Sequence, residues 1–150
     1  MHTYTYTYVL ESDLVPMRTA RSLVALNPSG VARSLGYGRL AIGLGFLADP
    51  VSSVRVLGVD SATAKRMTFL ARMTAGRDIV LGMGTVAART PSAQAGWLAA
   101  GAVADAIDSV ALGVGLKTGQ LRGAPAAGIA VGAAGAAGVA LLAAFRLRRG

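Results

Sequence analysis

The sequence predicts an all-α fold, an integral membrane four-helix bundle with a short interfacial helix between spans 1 and 2. Three observations predict it. Only 15% of the 150 residues are charged, where soluble domains carry roughly 25%, while 53% are hydrophobic and the mean hydropathy is +0.54. The apolar side chains are also small: 20 glycines stand against an aromatic fraction of 5%. A soluble core made of such residues buries little area per residue, whereas in a bilayer they let helices pack closely. Finally, residues 123–145 run without a charge, and a soluble helix of that length shows a polar face.

Residues 1–30 are expected to form an N-terminal tail with a short interfacial helix, and 31–150 the transmembrane domain. Thr3–Tyr8 alternates Tyr and Thr with a strand-like period, but no partner strand is evident. Val15–Leu26 reads as a short helix carrying Arg18 and Arg21, closed by Asn27-Pro28. No apolar run of about 7–15 residues follows a basic start, so a signal peptide is not expected.

The first span covers about 31–49, between Pro28 and Pro50, and contains Arg33 and Arg39. Roughly 21 residues at 1.5 Å rise match the hydrocarbon thickness, provided that Arg39 is paired inside the bundle. Residues 51–74 are more polar and suit an amphipathic interfacial turn. The second span covers about 69–88 and carries Arg77 and Asp78 below the surface. Thr90-Pro91-Ser92 is a helix start, with Thr90 as N-cap and Pro91 at the first helical position. The third span, about 92–116, includes Asp105 and Asp108, and the fourth covers 123–145. Every proline (Pro16, Pro28, Pro50, Pro91, Pro125) lies near a boundary, as helix geometry requires.

The net charge of +8 comes from 15 basic and seven acidic residues, and all the basic ones except Lys65 and Lys117 are arginines. They stand in ones and twos at the borders of apolar runs, the densest group being Arg146, Arg148 and Arg149. Nucleic-acid binders gather such residues in one patch; here they fit membrane flanks, and no nucleic-acid partner is expected. The side holding both termini collects Arg18, Arg21, Arg33, Arg89, Arg146, Arg148 and Arg149. The opposite side holds Arg55, Lys65, Arg66, Lys117 and Arg122, a bias toward cytoplasmic termini.

Charged residues inside the spans are the candidate site. Asp105 and Asp108 share a helix face at i, i+3, and an intramembrane carboxylate suggests either an ion path or a pairing role. Arg39 and Arg77 are the available partners, so Arg39, Arg77, Asp78, Asp105 and Asp108 are expected to form an intramembrane polar network. Three carboxylates against two arginines leave about one over, protonated or wetted. The fourth span offers a helix-packing stripe of Gly128, Gly132 and Gly135, continued by Ala136 and Ala140, for contact within the chain or between copies. Tyr37 and Trp97 fit aromatic belts, and Trp97 fits a core position as well.

Catalytic chemistry finds few residues. The only histidine is His2, in the tail, so no base is expected inside the bundle. Without cysteine, disulfides, thiolate metal sites and Cys nucleophiles are excluded. No Rossmann fingerprint or P-loop occurs, and no metal or cofactor is expected. The expected function is a non-enzymatic accessory or scaffold subunit of a membrane complex, with the lipid bilayer and a homo-oligomer or larger complex as partners. The alternative is a small proton- or ion-coupled transporter using Asp105 or Asp108.

Gly-Arg-Asp-Ile-Val-Leu-Gly at 76–82 and Ala-Asp-Ala-Ile-Asp at 104–108 resemble motifs of a family of small bacterial four-helix integral membrane proteins of unknown function. The resemblance covers about 34–145. It implies a bundle in the bacterial inner membrane and no particular activity. The layout is also similar to that of DoxX-like membrane proteins.

Overall fold

The computed structural model of the protein describes residues 27–149; the Tyr/Thr stretch and the short helix expected at 15–26 lie outside them. Within them the chain is all-helical, with no strands. The helices are α1 (Pro28–Ala48), α2 (Pro50–Arg55), α3 (Ser61–Arg66), α4 (Thr68–Ala87), α5 (Pro91–Lys117) and α6 (Ala124–Arg149).

Local chemistry sets most of these boundaries. Asn27 opens α1 by accepting from the Ser29 N–H at 3.1 Å, with Pro28 in the first turn. Asn27-Pro28 thus begins the first long helix. Asp49 closes α1 and opens α2, accepting from the Ser52 N–H at 3.0 Å. Thr90 caps α5 through the Ala93 N–H at 3.2 Å, again with proline next. Each side-chain oxygen satisfies one of the donors that a helix start leaves free.

One interfacial helix was expected between the first two spans, and the structure has two, α2 and α3. Gly58 breaks the segment at φ +79°, a left-handed conformation that glycine alone adopts freely. Asp60 then starts a new helix by accepting from the N–H groups of Ala62 and Thr63 at 2.8 and 3.0 Å. Its carboxyl, drawn on also by the Thr63 hydroxyl at 2.6 Å, is lowered to about 2.

The four long helices form a ring in which α1 packs on α4, α4 on α5, α5 on α6 and α6 on α1. Neighbours run antiparallel: Gly36 faces Gly82 while Gly43 faces Ala75, and Arg77 faces Asp108. The α1–α4 crossing is close because it is made by glycines. A Cβ on Gly82 would lie 2.7 Å from the Gly36 carbonyl oxygen, and one on Gly43 would lie 2.9 Å from that of Ala75. Such backbone approach is characteristic of small-residue helix interfaces.

The core between α1, α5 and α6 is mostly alanine: Ala32, Ala95, Ala102, Ala137, Ala140 and Ala144, with Leu98 and Leu147. A second cluster, Val54, Ala64 and Ala71 with Phe46 and Met67, seats α2 and α3 at the end of the bundle opposite Asn27 and Arg149. Larger apolar side chains point outward on all four long helices, among them Ile42, Leu44, Phe69, Met83, Ile107 and Leu141.

Two helices, α5 and α6, are long and apolar enough to cross a membrane. The other two, at 21 and 20 residues, are shorter but still reach about 30 Å; α1 carries Arg33 and Arg39, and α4 carries Arg72, Arg77 and Asp78. Four spans were expected; on apolar length alone the structure supplies two.

Of the two contacts open to the glycine stripe of α6, the one within the described chain is not made. A Cβ on Gly128, Gly132 or Gly135 would meet nothing within 4 Å, so these glycines do not pack against another helix of the described chain. The buried face of α6 is made instead by Ala126, Ala137, Ala140, Ala143, Ala144 and Leu147. Alanine permits nearly the same approach without glycine's loss of helix propensity.

Candidate functional site

Each charged residue of the site sits halfway along a long helix: Arg39 on α1, Arg77 and Asp78 on α4, Asp105 and Asp108 on α5. The ring arrangement brings all five together. Arg39 donates from Nη1 to Asp78 Oδ1 at 3.1 Å and from Nη2 to Asp105 Oδ2 at 2.5 Å. The same Nη2 donates to the Gly101 carbonyl at 2.8 Å. Arg77 holds Asp108 with two parallel bonds, Nη1 to Oδ1 at 3.0 Å and Nη2 to Oδ2 at 2.7 Å. That fork geometry is the strong form of the arginine–carboxylate pair.

Asp78 joins the two pairs. Its Oδ1 accepts from Arg39 and also from Arg77, whose Nη2 lies 3.3 Å away. Asp78 is the most enclosed member, with its side chain only 9% exposed. The carboxylate expected to be left over is therefore the bridge, and every carboxylate in the network accepts from a guanidinium. Formal charge still sums to one excess negative unit, three aspartates against two arginines.

Three glycines make room for this arrangement. Gly101 lies under the Arg39 guanidinium, where an added Cβ would stand 3.0 Å from Nη2. Gly36 and Gly82 bring α1 against α4, so that Arg39 reaches Asp78. The sequence suggested no packing role for these glycines, although Gly36 and Gly43 recur at i, i+7 and mark one helix face. A smaller polar contact lies closer to the termini: buried Gln94 donates from Nε2 to the Thr85 carbonyl at 3.4 Å, and the Thr85 hydroxyl donates to Leu81 at 2.8 Å.

Trp97 packs its ring on Gly84 and remains partly exposed, while Tyr37 is largely exposed on α1. At the end of α6, the Arg149 guanidinium lies 4.0 Å from the centre of the Phe145 ring, a cation–π contact. Among the described residues no group of three His, Cys, Asp or Glu side chains is placed to hold a metal ion.

A cavity of about 670 Å³ adjoins the network. Its wall includes Arg39, Asp78, Asp105 and Asp108, and the rest is largely apolar, with Leu35, Ile42 and Phe46 on α1 and Ile129 and Ala133 on α6. Arg77 is not part of the wall; it holds Asp108 from behind.

No protein-family model matches the chain, and no curated protein or solved structure is detectably similar to it.

Proposed function

We propose that this chain is a non-enzymatic integral membrane protein, an accessory or scaffold subunit of a membrane complex, in which all four long helices cross the bilayer. The observation that carries this reading is an inverted distribution of side chains. Alanine and ion pairs fill the inside, while Phe69, Leu70, Met73, Ile107, Val110 and Leu142 face outward. In water, residues of that size are the ones a fold buries; in hydrocarbon, outward exposure is favourable and small residues are left for helix contact. The inversion extends to α1 and α4, whose mid-helix charges turn inward and pair. Arg33 and Arg72 lie within about two turns of their helix ends, from where long side chains reach the interface.

Pairing supports a structural role for the network. Each carboxylate is held by a guanidinium, which keeps its proton throughout the accessible pH range. The short motifs at 76–82 and 104–108 resemble a bacterial inner-membrane four-helix family, which agrees with that location. The excess of basic residues on the terminal side favours cytoplasmic termini. A second reading, a small proton- or ion-coupled transporter, draws on Asp105 and Asp108 facing the cavity.

Reconstitution in proteoliposomes separates the two. A scaffold shows no proton or alkali-cation flux above empty vesicles under an imposed pH gradient. A flux that disappears in Asp105→Asn would overturn the scaffold reading and establish transport.

A further inference from the structure

We propose that the cavity beside the ion-pair network is a binding site for a hydrophobic monocation, an organic molecule carrying one positive charge in an apolar frame. The site goes beyond a scaffold role and requires no partner subunit.

The volume, about 670 Å³, lies within the usual range of small-molecule sites, roughly 300–1,000 Å³. Most of the lining is apolar, with Leu35, Ile42 and Phe46 of α1 and Ile129 of α6 among its side chains. Such a wall takes up an apolar ligand body and gives it no orientation; the charged patch supplies that.

The sign of the charge follows from the network. Three of the four charged residues on the wall are carboxylates, and the fourth, Arg39, already donates to Asp78, Asp105 and the Gly101 carbonyl. The whole network, Arg77 included, keeps one negative charge in excess. Asp78 and Asp105 are the enclosed carboxylates of the wall, with side chains 9% and 15% exposed, and an uncompensated charge so placed is unfavourable, so a cationic group entering the cavity beside them completes the balance. An anion meets the opposite: a wall already short of positive charge. A neutral apolar molecule gains contact area and leaves the excess as it was.

Entry does not require the network to open. The side chains of Ile42 and Leu70 are exposed and also line the cavity, so the site communicates with the outside of the bundle. Gly132 on α6 lines it too, and a Cβ there would meet nothing within 4 Å. The α6 glycine that makes no helix contact thus leaves room at the cavity wall.

The test uses the full chain purified in a non-ionic detergent, with radiolabelled tetraphenylphosphonium as the cationic probe and triphenylphosphine oxide as a neutral one of similar shape. Equilibrium dialysis against protein-free micelles is expected to show saturable binding of one cation per chain, at least about tenfold tighter than the neutral compound. Gly132→Leu, which adds a bulky side chain at the α6 part of the lining and leaves every ion-paired residue in place, is expected to weaken cation binding about tenfold or more. Its helix content and elution volume should stay as in the parent. Equal affinity for both probes, absence of saturable binding, or cation binding unchanged in a folded Gly132→Leu would each overturn the site. None of these results bears on how many helices cross the bilayer, which labelling from the two sides reads separately.

Discussion

Nη2 of Arg39 lies 2.5 Å from Oδ2 of Asp105 and links α1 to α5 across the diagonal of the bundle. The two helices touch little elsewhere, being separated in the ring by α4 on one side and α6 on the other. This ion pair and the Arg39–Gly101 bond set the relative height of α1 and α5. It is also the more enclosed of the two outer pairs, with Arg39 14% exposed against 34% for Arg77.

Arg39→Met should therefore be the most damaging single change in the network. It leaves Asp78 without its α1 partner and Asp105 without any partner among the described residues. Removing one partner of a buried pair costs about 3–5 kcal/mol. Unfolding in mixed micelles, followed by circular dichroism, is expected to show a loss of that order. A smaller loss is expected for Arg77→Met, because its pair with Asp108 is more open.

Charge exchange discriminates among the possible pairings. Asp108→Arg and Arg77→Asp should each lower the yield of folded protein, and the double variant should recover part of it. Asp105→Arg combined with Arg77→Asp should recover less, because Arg77 bonds Asp108 rather than Asp105. Folded yield by size-exclusion chromatography reads both comparisons.

Much of the helical layout was legible in the sequence because prolines or short polar side chains mark most of the starts; α4, which follows Met67 without a side-chain cap, is the exception. Thr90 was identified as the cap it is, and the charges in apolar runs marked the network. Which arginine meets which aspartate was not legible, since residue spacing fixes a helix face but not the height at which two helices meet. The roles of the α6 glycines and alanines were not separable for a similar reason. Either residue suits a close crossing, and only the orientation of the helix decides which stripe is covered. The cavity has no local signature at all, being lined from four long helices and the segments that join α1 to α4.

The glycine crossing gives a sharper contrast. Gly82→Leu places a side chain 2.7 Å from the Gly36 carbonyl and should lower stability by about 1–3 kcal/mol, as overpacking does. Gly45→Ala, on the same pair of helices, meets nothing within 4 Å and should be neutral or slightly stabilising through helix propensity. Thermal melts of the two variants in the same detergent compare them directly.

Asp60 carries a pH dependence that can be assigned outside the network. Its folded carboxyl titrates at about 2 against an ordinary 3.8, so the ionised form is the one that caps α3. Stability from the cap is present above the ordinary value and is lost as pH falls through the folded one. Asp60→Ala should melt below the parent at neutral pH, and the gap should close as pH approaches 2. A gap independent of pH would place the effect elsewhere.

The proposed crossing of the bilayer by α1 and α4 together with α5 and α6 can be read directly from the sidedness of the connecting segments. The parent chain has no cysteine, so single cysteines can be introduced at Ser52, Ser92 and Gln120 and labelled with a membrane-impermeant maleimide from either side. Four crossings predict that Ser52→Cys and Gln120→Cys label from one side and Ser92→Cys from the other. If only α5 and α6 cross, Ser52→Cys labels with Ser92→Cys, opposite Gln120→Cys, and that result would contradict the account.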